Sequence, residues 1–447
     1  MRRSGAFAAL CTLVLVLPLF GHTAAAIVAG VVLVLAFVVT DGPIFDLFAF
    51  PLDYEDERLY GVVSFVLAAI ALGVVEVTTT MTMPIVVGSV LLIGYGNLAE
   101  QYARTKRDVA VYRVGAFVVV GTFAGTVGQG LSIVLADLAV TVDAGVAVDV
   151  GDALPVLLFL ATSGALLAAI LRDVLIRYDD PVVMLFVGVL LWLLAELDPA
   201  VGGFELAVAI AVTVAFGYAS FVLGAASVAG MLTGILLGLL TIVLGGYGWF
   251  VVLLAFFGLG SLSTKFRYEE KAARGIAEDN DGARGSANVL SNAAVALGAV
   301  LGYAASASTL VAVEPELFLL AFAGAVATAL SDTLSSEIGG VFDGPRLITT
   351  LEPVEPGTDG GITWQGELAG IAGAAIVAGL SFVLFDAVGP TEALVIVAAG
   401  FVGMTVDSLL GATLEGSLLG NQGVNFLATL AGALFCAFAV GSPALVG

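Results

Sequence analysis

The chain has 447 residues, 60% of them hydrophobic and only 12% charged, with a mean hydropathy of +1.11. Soluble domains carry about a quarter charged residues, so this composition excludes a water-soluble globule and any large extramembranous domain. Thirty-seven acidic residues against 15 basic ones give a net charge of -22, which excludes a basic surface for nucleic acid or anionic lipid.

Only Lys106, Lys265 and Lys271 are lysines. Acid-rich, lysine-poor exposed segments suit molar salt, where carboxylates stay hydrated and self-repulsion is screened, and point to a halophilic archaeal source. Cys11 and Cys436 lie in apolar runs at opposite ends of the chain and form neither a disulfide framework nor a zinc site. The single histidine, His22, builds no metal or triad constellation by itself.

Arg2 and Arg3, the apolar run to Phe20 and the small residues Thr23 to Ala26 resemble a secretory signal peptide. Hydrophobicity resumes from Ala24 to Thr40, however, so the sequence predicts a retained helical hairpin. Spans are predicted at 6–21, 24–40, 61–79, 82–97, 114–136, 153–171, 181–197, 203–222, 224–244, 247–262, 288–307, 316–331, 366–386, 391–408 and 423–441. The expected fold is therefore all-α and polytopic, with about 15 transmembrane helices. A cytoplasmic N-terminus places every basic loop inside and the lysine-free acidic loop 139–152 outside. Two membrane domains are expected, 1–223 and 224–447.

In the first half, Gly94 to Glu100, the basic stretch Arg104 to Arg113 and the glycine-rich span 121–130 come one after another. Most other spans are clean, and the unusual polar residues crowd into three clusters of the second half, at loops or loop margins. A transporter would instead interrupt its spans near the midplane, so the distribution favours interfacial chemistry.

The first cluster holds Lys265, Arg267, Lys271, Arg274 and Arg284, one third of the 15 basic residues. The turn Gly282 to Gly285 precedes a helix start with Asn288 and Asn292 one turn apart, an arrangement suited to phosphate. In the second, Asp332, Ser335, Ser336 and Glu337 are followed by Arg346 and by Pro356-Gly357-Thr358-Asp359-Gly360-Gly361. On a helix Glu337 lies about 140° around from Asp332, so one ion shared by both needs a helix break or a bridging ligand. Hard oxygen ligands of this kind suit magnesium. The third joins Asp407, Ser408 and Glu415 to Asn421 and Asn425.

At these clusters, over roughly residues 225–445, the chain resembles the integral-membrane family that contains the plant phytyl-phosphate kinases and animal transmembrane protein 19. The likeness rests on A-R-G-I-A-E, G-A-R-G-S-A-N-V-L-S-N, S-D-T-L-S-S-E-I-G, P-R-L-I-T-T, P-G-T-D-G-G-I-T, V-D-S-L-L-G-A-T-L-E and N-Q-G-V-N. Ala283 stands where a second arginine is expected, and Glu415 where glutamine is common. The resemblance implies phosphorylation of an isoprenyl monophosphate (phytyl or geranylgeranyl) by a nucleoside triphosphate, CTP, UTP or ATP, with Mg2+ as cofactor. The partners are then an isoprenyl phosphate lipid, a nucleotide and the cell membrane, with the site facing the cytoplasm.

Asp332, Glu337 and Asp407 are the expected catalytic and metal-binding residues. Lys271, Arg274, Arg284, Asn288, Asn292, Arg346, Gly357 and Thr358 are expected on phosphates, with Ser408, Glu415, Asn421 and Asn425 as further polar groups. A CTP-dependent cytidylyltransferase, a polyprenol kinase and a transporter are the alternatives. The first half weakly echoes phytol or dolichol kinases and phosphatidate cytidylyltransferases, with Asn97 where an acid is expected, and reads as a degenerate duplicate.

Overall fold

The computed structural model describes residues 2–51, 53–140, 150–174, 179–275 and 284–441. Most of the acidic loop 139–152 lies outside the described residues, as do Arg177, Glu278 and the Gly282-Ala283 part of the expected turn. Thirteen helices among the described residues are long and apolar enough to cross a membrane, and the protein is a polytopic all-α membrane protein. Among the described residues the only named strands are two residues each.

The chain divides into two compact units, Met1–Val208 and Ala209–Gly447. In the first, α1 (Arg2–Cys11) and α2 (Val16–Val38) are joined by a single 3-10 turn. Next come the short α3 (Gly42–Phe48) and α4 (Asp53–Asp56). Five long helices complete the set, α5 (Tyr60–Thr78), α6 (Met83–Lys106), α7 (Ala110–Val140), α8 (Val150–Val174) and α9 (Asp179–Glu196). Residues 2–38 count as one candidate span, but the chain breaks inside α2 at Gly21, whose φ of 77° and ψ of 179° are non-helical. Leu10 before the break and Ala29, Val32 and Leu33 after it pack on one cluster around Phe45 and Val62. The two arms thus fold back as the expected hairpin. With the arms separated and α9 included, each of the fifteen expected segments is helical.

The units part within α10 (Gly203–Val222), earlier than the expected boundary after residue 223. The second half of α10 is held by residues of the second unit. Phe216 meets the Phe250 ring edge-on at 6.1 Å, and Thr213 sits against Gly238.

The second unit adds α11 (Val228–Gly245), α12 (Tyr247–Lys265), the one-turn α13 (Tyr268–Ala273), α14 (Ser286–Ala307), α15 (Pro315–Gly339), α16 (Trp364–Leu384), α17 (Pro390–Thr413) and α18 (Asn421–Gly441). Between α15 and α16, β1 (Arg346–Leu347) pairs antiparallel with β2 (Gly361–Ile362). Helix starts carry their own signals: Ser227 and Thr363 accept backbone N–H bonds three residues on, and Pro315 and Pro390 occupy first turns.

α15 is the hub and touches α12, α14, α16, α17 and α18. Its middle, Phe322 to Ser331, is almost wholly buried and mostly small: Ala323, Gly324, Ala325, Ala327, Thr328 and Ala329. A methyl group on Gly324 would stand 2.6 Å from the Gly432 carbonyl oxygen of α18. On Gly400 of α17 it would stand 2.8 Å from Ser331 Oγ, and on Gly366 of α16 2.7 Å from the Ser335 carbonyl. Three helices therefore meet α15 backbone to backbone, the usual route to tight association where lipid removes the hydrophobic drive. Thr328 Oγ1 donates to Ala399 O at 3.3 Å and Ser331 Oγ to Gly370 O at 2.9 Å, tying the same contacts.

Gly324→Val should cost about 1–3 kcal/mol through overpacking, read as a lowered midpoint of thermal unfolding in detergent. Gly298→Ala, where the new carbon meets nothing within 4 Å, is the control that should leave the midpoint unchanged.

Candidate active site

The small-residue seam continues one turn further into polar ground. α15 runs past the expected end at residue 331 to Gly339, and α17 past 408 to Thr413, so the acids lie on helices and not on loops. Thr328 packs on Gly403, and four residues beyond each stand Asp332 and Asp407, on one face of their helices. Their carboxyl groups lie close enough to interact with one another. Asp407 Oδ1 is buried with no protein partner.

Both aspartates open into a cavity of about 420 Å³. All three sequence clusters line it: Lys271, Arg284, Asn288 and Asn292 from the first; Asp332, Glu337, Gly357 and Thr358 from the second; Asp407, Ser408, Glu415, Asn421 and Asn425 from the third. The asparagines lie in the first two turns of α14 and α18. Asn292 Nδ2 donates to Asn288 O at 3.0 Å, and Asn425 Nδ2 to Asn421 Oδ1 at 3.3 Å.

The basic residues of the clusters are placed differently from one another. Arg284 is buried, with its guanidinium 5.5 Å from the Phe256 ring centre and against Gly260 of α12. A methyl group on Gly260 would lie 2.9 Å from Arg284 Nη2, so a larger residue there would push the guanidinium aside. Its backbone is engaged, N to Ala225 O and O from Ser227 N, both at 3.0 Å. Its side chain, and not its own N–H group, is what meets the cavity.

Lys271 is 2% exposed, and its ammonium donates to Ser263 O at 3.2 Å, to Thr264 O at 2.6 Å and to the Glu337 carboxylate. An ammonium has three donors, so Lys271 caps the last carbonyls of α12 and neutralises Glu337. Both residues line the cavity as a pair, Lys271 as a strut to the end of α12 and Glu337 facing that strut. Among the described residues no three His, Cys, Asp or Glu side chains cluster closely enough to hold a metal ion.

Arg274 and Arg346 are not among the cavity's lining residues. Arg274 Nη2 reaches Asp343 at 3.0 Å and Arg346 Nη1 the Leu351 carbonyl at 2.7 Å, both at the exposed surface. Arg346 belongs to the β1–β2 cap instead. That cap closes on α17 through Gly360, whose φ of 74° and close approach to the Ser408 carbonyl both demand glycine.

Asp359, beside it in the P-G-T-D-G-G run, is a further cavity acid that the sequence pattern did not single out. Its charge, after burial, raises the Glu415 carboxyl above the ordinary range, while a hydrogen bond from Asn421 opposes the shift. Phe256 and Gly260 were likewise missed, because an apolar run gives no sign that one of its glycines seats an arginine.

The first unit holds a smaller polar cluster where the duplicate was expected. Asn97 Nδ2 donates to Asp180 Oδ2 at 2.6 Å, and Arg172 pairs with Glu100 at 3.2 Å while its guanidinium lies 4.8 Å from the Phe117 ring centre.

Residues 211–433 match the family of integral membrane protein DUF92. An uncharacterized membrane protein of Methanocaldococcus jannaschii is 34% identical over 211 residues, 46% of this chain and 82% of the relative. Protein PGR of Arabidopsis thaliana is 32% identical over 41% of this chain and 79% of its own length. The chloroplastic protein VTE6 of the same plant is 33% identical over 42% of this chain, which spans 56% of that relative. No solved structure matches. The matched segment, the seam of α15 and the cavity coincide in the second unit, and the chain belongs to the DUF92 family of integral membrane proteins.

Proposed function

We propose that the cavity transfers the terminal phosphoryl group of a nucleoside triphosphate to an isoprenyl monophosphate at the cytoplasmic face of the cell membrane, giving the isoprenyl diphosphate. The observation that carries this reading is that Asp332, Asp407, Arg284 and the glycine-rich Gly357–Gly361 stretch line one cavity in a membrane protein of this family. It agrees with the resemblance of the motifs to the phytyl-phosphate kinases.

A pair of interacting carboxyl groups with an orphaned buried oxygen fits Mg2+, which takes one or two carboxylates and leaves its other positions to water and phosphate. Asp332 and Asp407 would hold it, with Glu415 and Asp359 lining the same cavity. The bound ion supplies charge neutralisation of the phosphates. Arg284 presents a planar fork to phosphate oxygens in the same cavity. The asparagines and the Gly357-Thr358 turn fix orientation, and the cap excludes water. In the transfer an oxygen of the lipid monophosphate bonds to the γ-phosphorus as the β–γ bridging P–O bond breaks, and the nucleoside diphosphate leaves. Phosphoryl transfer asks for positioning and charge and little covalent work, which is what these residues offer.

The direct test is purified full chain with isoprenyl monophosphate, magnesium and each labelled triphosphate in turn, with the products identified. Isoprenyl diphosphate together with nucleoside diphosphate is expected. A nucleotidyl-lipid with released diphosphate would make the protein a cytidylyltransferase, and absence of any product would remove the enzymatic reading.

Asp332→Asn and Asp407→Asn keep side-chain volume and remove charge. Each should lower turnover by about 10²–10³ and abolish its dependence on magnesium, with unchanged elution on size exclusion. Gly260→Ala displaces the Arg284 guanidinium without touching a carboxylate. It should raise KM for a phosphorylated substrate about tenfold while kcat falls less. Unaltered KM would dissociate Arg284 from phosphate.

A further inference from the structure

The first unit encloses a second cavity, of about 450 Å³, between the two arms of the N-terminal hairpin, α5 and α6. Leu13 and Leu17 of the first arm, Ala29 of the second, and Val66 and Val74 of α5 form its walls. His22, just past the hairpin turn, stands on its rim. His22 Nε2 lies 2.7 Å from Glu76 Oε2, and the Glu76 side chain is 12% exposed.

The size is that of a pocket for one small ligand. Its walls offer almost no hydrogen bonds, so whatever lies between them is hydrocarbon. Among spanning helices such a ligand enters from the bilayer. The rim then decides the head group. Glu76 repels a phosphate or carboxylate head, since like charges in a poorly solvated place are costly. With Nε2 held by Glu76, the other imidazole nitrogen remains for one hydrogen bond, which a hydroxyl can meet as donor or as acceptor. A phospholipid fails on both counts, with two chains and a phosphate.

We propose that the first unit binds a single-chain lipid alcohol, its tail in this cavity and its hydroxyl on the His22–Glu76 pair. The site is separate from the cavity of the second unit, and its test does not use turnover.

The full chain in phosphatidylcholine nanodiscs would be photolabelled with diazirine-tagged farnesol and, in a second arm, diazirine-tagged hexadecanol, and the labelled peptides mapped by mass spectrometry. Saturable labelling confined to residues 10–33, 65–78 and 86–90, displaced by unlabelled alcohol and not by farnesyl phosphate or palmitate, is expected. Whichever alcohol labels at lower concentration identifies the chain type.

Gly73 and Gly30 both line the cavity, and a carbon added to either meets nothing within 4 Å. Gly73→Leu and Gly30→Leu should therefore fill the space without disturbing the fold, each weakening labelling about tenfold. Glu76→Gln should admit farnesyl phosphate as a competitor. Labelling that does not saturate or spreads over every lipid-facing helix would mean annular lipid only and overturn the proposal. Label retained by both filled variants, or displaced better by a phosphate or an amine than by an alcohol, would do the same.

Discussion

The contact between the backbones of α15 and α17 is what the candidate site depends on. Helices in a bilayer gain little by hiding apolar surface from one another, because lipid tails are as apolar as leucine. They are held by close packing and by polar bonds between them. Gly400 and Gly403 let α17 approach Ser331 and Thr328 at distances no larger residue permits. The helices run parallel because α16 returns the chain between them. Four residues further along both, the same geometry delivers Asp332 and Asp407 face to face. The small-residue seam and the acidic pair are thus one feature, since a wider crossing would part the carboxylates.

Charge placement in the cavity derives from the cost of burial. A buried ion without a partner is far more expensive than a paired one. Lys271 and Glu337 answer this by neutralising each other, and the ammonium's other donors satisfy the end of α12. The pair contributes rigidity to the cavity wall and little net field. Arg284 is treated differently: its flat face rests on Phe256 and its fork is held over Gly260, an arrangement that stabilises a cation through the ring. The charges that remain in the cavity lining are therefore those of Arg284 and of Asp332, Asp407, Glu415 and Asp359.

Much of this was legible in the sequence because membrane helices announce themselves by length and composition alone. Every expected span is a helix, and the polar clusters stood out against clean apolar runs. Helix ends were harder to read. Ser331 to Gly339 is polar enough to read as a loop, yet packing against Gly366 and Gly373 keeps it helical to Gly339. Partner choice was harder still. Lys271, Arg274, Arg284 and Arg346 are alike as charges in a loop, and only folding decides that Lys271 binds carbonyls, that Arg274 and Arg346 stay at the surface, and that Arg284 turns inward. The seat of Arg284 is written in Gly260, a residue with no chemistry of its own. Periodicity cannot reveal such a role.

The two units use similar materials to different ends. In the first, Arg172 rests on an aromatic ring as Arg284 does, but it faces Glu100 at 3.2 Å, and Asp180 takes a hydrogen bond from Asn97. Asn97 offers an amide donor where a second carboxylate would leave a charge to be met from outside, so the cluster balances itself. In the second unit Asp332 and Asp407 bring two acids side by side in a cavity that Arg284 also lines, so like charges meet where the first unit pairs unlike ones. The family match at residues 211–433 falls on the unit that carries this costlier arrangement.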